Sequence, residues 1–202
     1  IWLIVSAFLF AKGFIKTGLG RRIAYKIMAA IGSSSLKLGY TMAITDLIIA
    51  PATPSNTARG GGILFPIVRS LCSAFGSEPG PTSKKIGSYL MACTFQNNCI
   101  TSSMFVTSVA PNLLCVTLAA QTAKVDLSWG FWALACSVPG IIALLLCPYL
   151  VYKLDPPELK QTPEAPEIAR KELSKMGPMT KDEKTVLGVF ILALILWATA
   201  SF

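Results

Sequence analysis

Apolar runs broken by short polar stretches set the pattern of this chain. Leu127 to Tyr152 is the clearest run, 26 residues without a charge. That suits a helix crossing a bilayer, which needs about 20 apolar residues. Pro139-Gly140 inside it predicts a kink. Residues 1–15 read as the end of another transmembrane helix. Over residues 20–31, apolar positions fall at helical spacing with basic residues on another face. This predicts a short helix, either lying at the membrane surface or acting as an ordinary cytosolic helix cap. Leu36 to Ile49 is apolar except for Lys37, Thr41, Thr45 and Asp46. It stops before Pro51, short of the roughly 17–25 residues of a spanning helix. A second short leg is predicted over residues 61–76.

Between the two legs lies Ala50-Pro51-Ala52-Thr53-Pro54-Ser55-Asn56-Thr57-Ala58-Arg59-Gly60-Gly61-Gly62. The prolines end the incoming helix, since each lacks an N–H and clashes with the preceding turn. Two short legs around a polar tip predict a re-entrant hairpin over 36–76. Residues 76–85 are a surface loop rich in Gly and Pro. Ile86 to Ala123 is too long for one ordinary helix and has a polar middle. A break at Val109-Ala110-Pro111-Asn112 predicts a discontinuous transmembrane helix over 86–123. The span at 128–152 follows. Residues 153–184 form a hydrophilic loop, with an amphipathic helix expected over 163–175. A last span begins near Thr185. The chain reads as a piece of a longer protein, and its start is not read as a signal peptide, having no basic n-region and no small-residue cleavage site.

Composition agrees with an all-α polytopic membrane protein: 53% hydrophobic, 14% charged, against about 25% charged in soluble domains. The net charge is +8, yet residues 153–184 hold seven basic and seven acidic residues. If the hairpin re-enters, residues 12–37, 77–85 and 153–184 share one side and carry nearly all the Lys and Arg. The positive-inside rule makes that side cytoplasmic. Arg59 and Arg69, both in the hairpin, need separate explanations. The excess charge follows topology, so no nucleic-acid partner is expected. The six cysteines are scattered, with no CxxC and no histidine in the chain. This argues against a zinc or haem site. A membrane-embedded enzyme is equally disfavoured, since no histidine, paired acid or nucleophile constellation is present.

The two breaks carry the candidate chemistry. The second leg would aim free N–H groups from near residues 58–61 at the tip, a site for carboxylate or phosphate. Ser55 and Thr57 add hydroxyls, Asn56 an amide, and Arg59 a charge in fork geometry. A second helix start at Asn112 lies beside Ser108, Val109 and Ala110. Two positive helix ends meeting near mid-membrane describe a site for an anion with two negative ends. Exposed carbonyls in the same breaks could hold a cation. Each feature also has a plain reading: Pro-Ser-Asn-Thr is a common turn, and the serines and threonines at 101–108 can be packing glue.

Pro54-Ser55-Asn56-Thr57-Ala58-Arg59 followed by three glycines resembles the signature of the divalent anion/sodium symporter family. The extended run from Ala50 resembles its citrate, tartrate and 2-oxoglutarate/malate branch. Residues 13–24, Ala110-Pro111-Asn112-Leu113-Leu114, Tyr152 to Glu158 and Met176-Gly177-Pro178 are similar to further segments of that branch. The resemblance implies an elevator-type transporter of two inverted repeats, acting as a homodimer. It divides the chain into scaffold (1–35), transport region (36–152), cytoplasmic inter-repeat loop (153–184) and the first helix of the second repeat (185–202). Ser55, Asn56, Thr57 and Arg59, with Ser108, Val109, Pro111 and Asn112, would bind substrate. Asn56 would also support a sodium site; no other cofactor is implied. The chain has Ser108-Val109 where sodium-coupled relatives are expected to show Gly-Thr, and Pro51 where a hydroxyl residue is expected. The expected function is therefore exchange of C4–C5 dicarboxylates of the 2-oxoglutarate/malate type. The alternative is sodium-coupled symport of citrate, succinate or another divalent anion. The expected setting is a bacterial inner membrane or a plastid-type inner membrane.

Overall fold

Two helices joined by a proline-rich turn form the centre of the computed structural model, which describes residue 9 and residues 12–199. Helix α1, Leu19–Ile31, precedes them. Helix α2, Ser35–Ile49, is capped by Ser34, whose hydroxyl accepts from the Lys37 N–H. Its last turn tightens into a 3₁₀ turn, Ala50–Ala52, around Pro51. Thr53 is extended, and Ser55 then caps the second leg by accepting from the Ala58 N–H at 3.2 Å. That leg starts five residues earlier than residue 61, where the sequence placed it. It runs without interruption as α3, Asn56–Arg59, a π turn, Gly60–Leu64, and α4, Phe65–Ala74. The three glycines read as part of the polar break, but they sit inside the helix as its wide turn. Such turns are rare and favour functional positions.

Helix α5, Gly87–Met104, ends where Phe105 turns extended. A 3₁₀ turn, Val106–Ser108, and an extended Val109 follow. Helix α6, Ala110–Leu118, then starts with Pro111 in its first turn and continues as a π turn, Ala119–Ala123. The break therefore covers 105–109, earlier than the predicted 109–112. Pro111 opens the second half because its missing N–H has no role in a first turn.

Helix α7, Trp129–Leu154, contains Pro139 and Pro148. Among the described residues it is the one helix long and apolar enough to cross a membrane by length and composition. Leu134, Val138, Ile142 and Leu145 on it are exposed, as expected of a surface that faces lipid. Pro148 frees carbonyls in the preceding turn. The Tyr40 hydroxyl donates to that of Leu145 at 2.7 Å.

The hydrophilic segment after α7 is tied down. Thr162 N–H donates to Ser33 O at 3.1 Å, and Ser35 N–H to Lys160 O at 3.2 Å. Glu158 and Leu159 N–H groups donate to Lys84 O and Lys85 O, both at 3.0 Å. One stretch of chain thus grips the loops before and after the helical hairpin. Helix α8, Ala165–Met176, lies along α1 and buries Ala165 and Ala169. Helix α9, Lys181–Thr199, begins with a capping box. Glu183 N–H donates to Thr180 Oγ1 and Thr180 N–H to Glu183 Oε2, which satisfies two free donors reciprocally. The main core joins α1, α2, α4 and α5, including Met28, Leu38, Met42, Ile67, Leu71 and Leu90. Helix α1 contributes Leu19, Ala24 and Met28 to it, so one of its faces packs on protein. Most of residues 1–15 lie outside the described residues, as do residues 200–202.

Candidate functional site

Helices α2 and α5 approach closely enough to place both breaks side by side. Gly39 makes that possible: a Cβ there would lie 2.1 Å from the Tyr89 hydroxyl. The Arg59 side chain fills the junction and is fully buried. Its Nε donates to Asp46 Oδ1 at 2.5 Å. Nη1 donates to Thr53 O at 3.0 Å and Ser108 O at 3.1 Å. Nη2 donates to Thr101 Oγ1 at 3.3 Å and Ser102 Oγ at 2.9 Å. All five guanidinium donors are engaged. Asp46 in turn accepts from Thr101 Oγ1 at 2.6 Å and from Asn98 Nδ2. The positive charge is thereby balanced at once, as a buried charge requires.

The residues expected to bind substrate divide into two groups. Asn56 and Thr57 line a pocket of about 430 Å³. Gly60 and Gly61 continue that wall, and Thr94 and Asn98 of α5 face it. Ser55 caps the leg and does not itself line the pocket. The others do not line it either. Arg59 is turned to the sealed junction, which corrects its reading as a fork offered to substrate. Ser108 is buried and donates from its hydroxyl to Ser102 O at 2.6 Å and Phe105 O at 2.7 Å. Asn112 Nδ2 donates to the same two carbonyls at 2.8 and 2.9 Å. Both side chains stitch the break by serving carbonyls that the end of α5 leaves over. Val109 supplies the extended residue before α6, and Pro111 starts that helix. The expected start of anion-binding N–H groups near residues 58–61 also moves, to the true helix start at Asn56.

Asp46 was legible as a lone acid in an apolar leg, but its partner was not. The hairpin's single acid and an arginine 13 residues on, in the polar tip, were the available signal. Thr94 had none, being one polar residue among many in α5.

Thr53 O and Ser108 O, one carbonyl from each break, accept from Arg59. Asn56 Oδ1 accepts from Thr57 N–H at 2.8 Å. The Arg59 guanidinium occupies the junction between the two breaks. Among the described residues, those that line the pocket include no charged side chain. Its polar groups are amides and hydroxyls, and Phe65, Met91 and Phe95 give it an apolar side. Such a mixed lining suits a small organic anion.

Comparison with known proteins agrees with that chemistry. A Bacillus subtilis (strain 168) protein whose name proposes malate transport is 52% identical over 198 residues, 98% of this chain and 41% of that protein. Dicarboxylate transporter 1, chloroplastic, of Spinacia oleracea is 49% identical over 197 residues, 97% of this chain and 35% of that protein. The L-tartrate/succinate antiporter of Escherichia coli (strain K12) is 46% identical over 198 residues, 98% of this chain and 41% of that protein. The chain spans about two fifths of the length of these curated relatives. The family model described as sodium:sulfate symporter transmembrane region matches residues 1–202. With its whole length matched, this chain belongs to the sodium:sulfate symporter transmembrane family.

Proposed function

We propose that this chain belongs to a membrane carrier that exchanges C4–C5 dicarboxylates without sodium, and that it holds one half of the anion site. The observation that carries the reading is Arg59: a built-in cation holds the carbonyls of both helix breaks, Thr53 O and Ser108 O. In this reading the guanidinium, rather than a sodium ion, holds those carbonyls in place. Asn56 and Thr57, at the start of a 19-residue helix over 56–74, present an amide and a hydroxyl to one carboxylate. The positive end of the helix favours the same group. The names of the Spinacia oleracea and Escherichia coli relatives, a dicarboxylate transporter and an antiporter, support the substrate class and the exchange.

The 15 residues of α2 reach about 22 Å at 1.5 Å per residue, against a hydrocarbon core of about 30 Å. That shortfall supports a hairpin that turns inside the membrane. In this reading the hairpin and the α5–α6 break move together with the bound anion. They move against a scaffold that includes α1, in a homodimer of inverted repeats. The family resemblance supports this elevator scheme.

The test uses the full-length protein in malate-loaded proteoliposomes. Uptake of external 2-oxoglutarate should require internal malate and be unchanged by sodium. Uptake that needs sodium and ignores internal malate overturns the proposal.

A further inference from the structure

Glycine is the poorest helix former after proline, yet Gly60, Gly61 and Gly62 stand in a row inside the second leg. The backbone does not ask for them. Gly60 has φ −63° and ψ −54°, right-handed helical values open to any residue. Gly61 and Gly62 likewise avoid positive φ. The wide turn does not ask for them either, since a second π turn, Ala119–Ala123, contains no glycine. Packing leaves room as well. A Cβ built on Gly60 would lie 3.5 Å from Asn98 Oδ1, 3.6 Å from its Cγ and 3.7 Å from its Nδ2, ordinary van der Waals contact. On Gly61 it would meet nothing within 4 Å. What these two glycines share is the pocket, which both line and Gly62 does not. At Gly60 the contacts also give a direction. Asn98 lines the pocket from α5 and is held by Asp46. A methyl group at position 60 would therefore stand between the two walls.

We propose that Gly60 determines specificity by setting the width of the pocket between the second leg and α5, and so admits a five-carbon dicarboxylate. The assignment rests on the dicarboxylate reading of the pocket. With no side chain at position 60, the middle of the acid has room beside bare backbone. The helix gives up the favourable propensity of alanine there, and the pocket gains one carbon's worth of space. The match in size is one to one. Alanine adds a single carbon to the wall, and a five-carbon diacid exceeds a four-carbon one by a single methylene. One methylene in a fitted apolar pocket changes recognition by about 10–200-fold. A methyl group at position 60 therefore tells against the five-carbon acid first.

The full-length protein in malate-loaded proteoliposomes separates the possibilities. Uptake of labelled malate is competed with unlabelled succinate or with glutarate, which is longer by one methylene. Both should inhibit the wild type. Gly60→Ala should weaken glutarate against succinate by about tenfold or more, and should not lower the unfolding temperature in detergent. Gly62→Ala makes the same exchange in the same turn but off the pocket, near Ile15, and should keep the wild-type ratio. The assignment alone is overturned by a wild type that glutarate does not inhibit, or by the same shift in Gly62→Ala. It is equally overturned by a Gly60→Ala protein that keeps the wild-type ratio, unfolds earlier or takes up no malate. A wild type that transports no dicarboxylate overturns the dicarboxylate reading and the assignment with it.

Discussion

Two arginines are buried against carboxylates in this protein, and they do different work. Arg59 and Asp46 lie 13 residues apart in one hairpin. Arg22 and Glu183 lie 161 residues apart, on α1 and α9. Both arginines also serve carbonyls that helix ends leave over. Arg59 takes those of the two breaks. Arg22 takes Gly177 O at 2.9 Å and Met176 O at 3.3 Å, at the end of α8. The difference lies in the acid. Asp46 is fully buried and held by side chains alone. Glu183 keeps a backbone donor, the Thr180 N–H at 2.8 Å, and sits in the first turn of a helix. One pair fixes a site, and the other fastens distant parts of the chain.

The largest expected effect follows from that contrast. Arg59→Ala leaves a fully buried aspartate without its counter-charge and should cost about 3–5 kcal/mol, read as a loss of stability in detergent unfolding. Adding Asp46→Leu should recover part of that stability but no transport. If the double variant transports normally, Arg59 is not what organises the breaks. Arg22→Ala should cost less, about 1–3 kcal/mol, because Glu183 keeps its capping bond. Equal losses for the two arginines would erase the distinction drawn between the acids.

The smallest effect belongs to an exposed pair. Lys84 Nζ donates to Asp155, as does the Ser88 hydroxyl. The Lys84 hydrogen bond, with that of Ser88, holds the Asp155 carboxyl below its usual range. A lowered folded-state pKa adds stability above the unfolded value, about 3.9, and loses it as pH falls through the folded value. Lys84 is largely exposed, so the pair is worth at most about 1 kcal/mol. Lys84→Ala should lower stability at neutral pH by at most about 1 kcal/mol, leave it unchanged at pH values below the folded-state pKa, and so flatten the acid limb of the profile.

The sequence carries some of these features openly. Pro51 and Pro111 mark both breaks because a missing N–H has few places to go. The uncharged run before Tyr152 marks α7. The leg boundary at Asn56 was hidden, since three glycines look like a loop and a π turn leaves no mark in hydrophobic spacing. The early end of α5 at Phe105 was hidden as well, because no residue there forbids a helix. Ser108 and Asn112 were legible as polar residues at a break, but a polar side chain there serves the freed carbonyls as readily as a ligand. Only packing decides between these roles. The pairing of Arg59 with Asp46 depends on how α2 meets the second leg, which local pattern does not encode.

The wide turn at Gly60–Leu64 makes the second leg a counting device. A π turn holds one residue more than an α turn, so the leg's first residues are rotated by about 100° relative to an unbroken α-helix. Removing one glycine would keep every side chain named above and let the helix close regularly. It would also swing Asn56 and Thr57 away from the pocket and Arg59 away from Asp46. The information in this stretch therefore lies as much in the number of glycines as in their identity, and a deletion there is a change of aim rather than of composition.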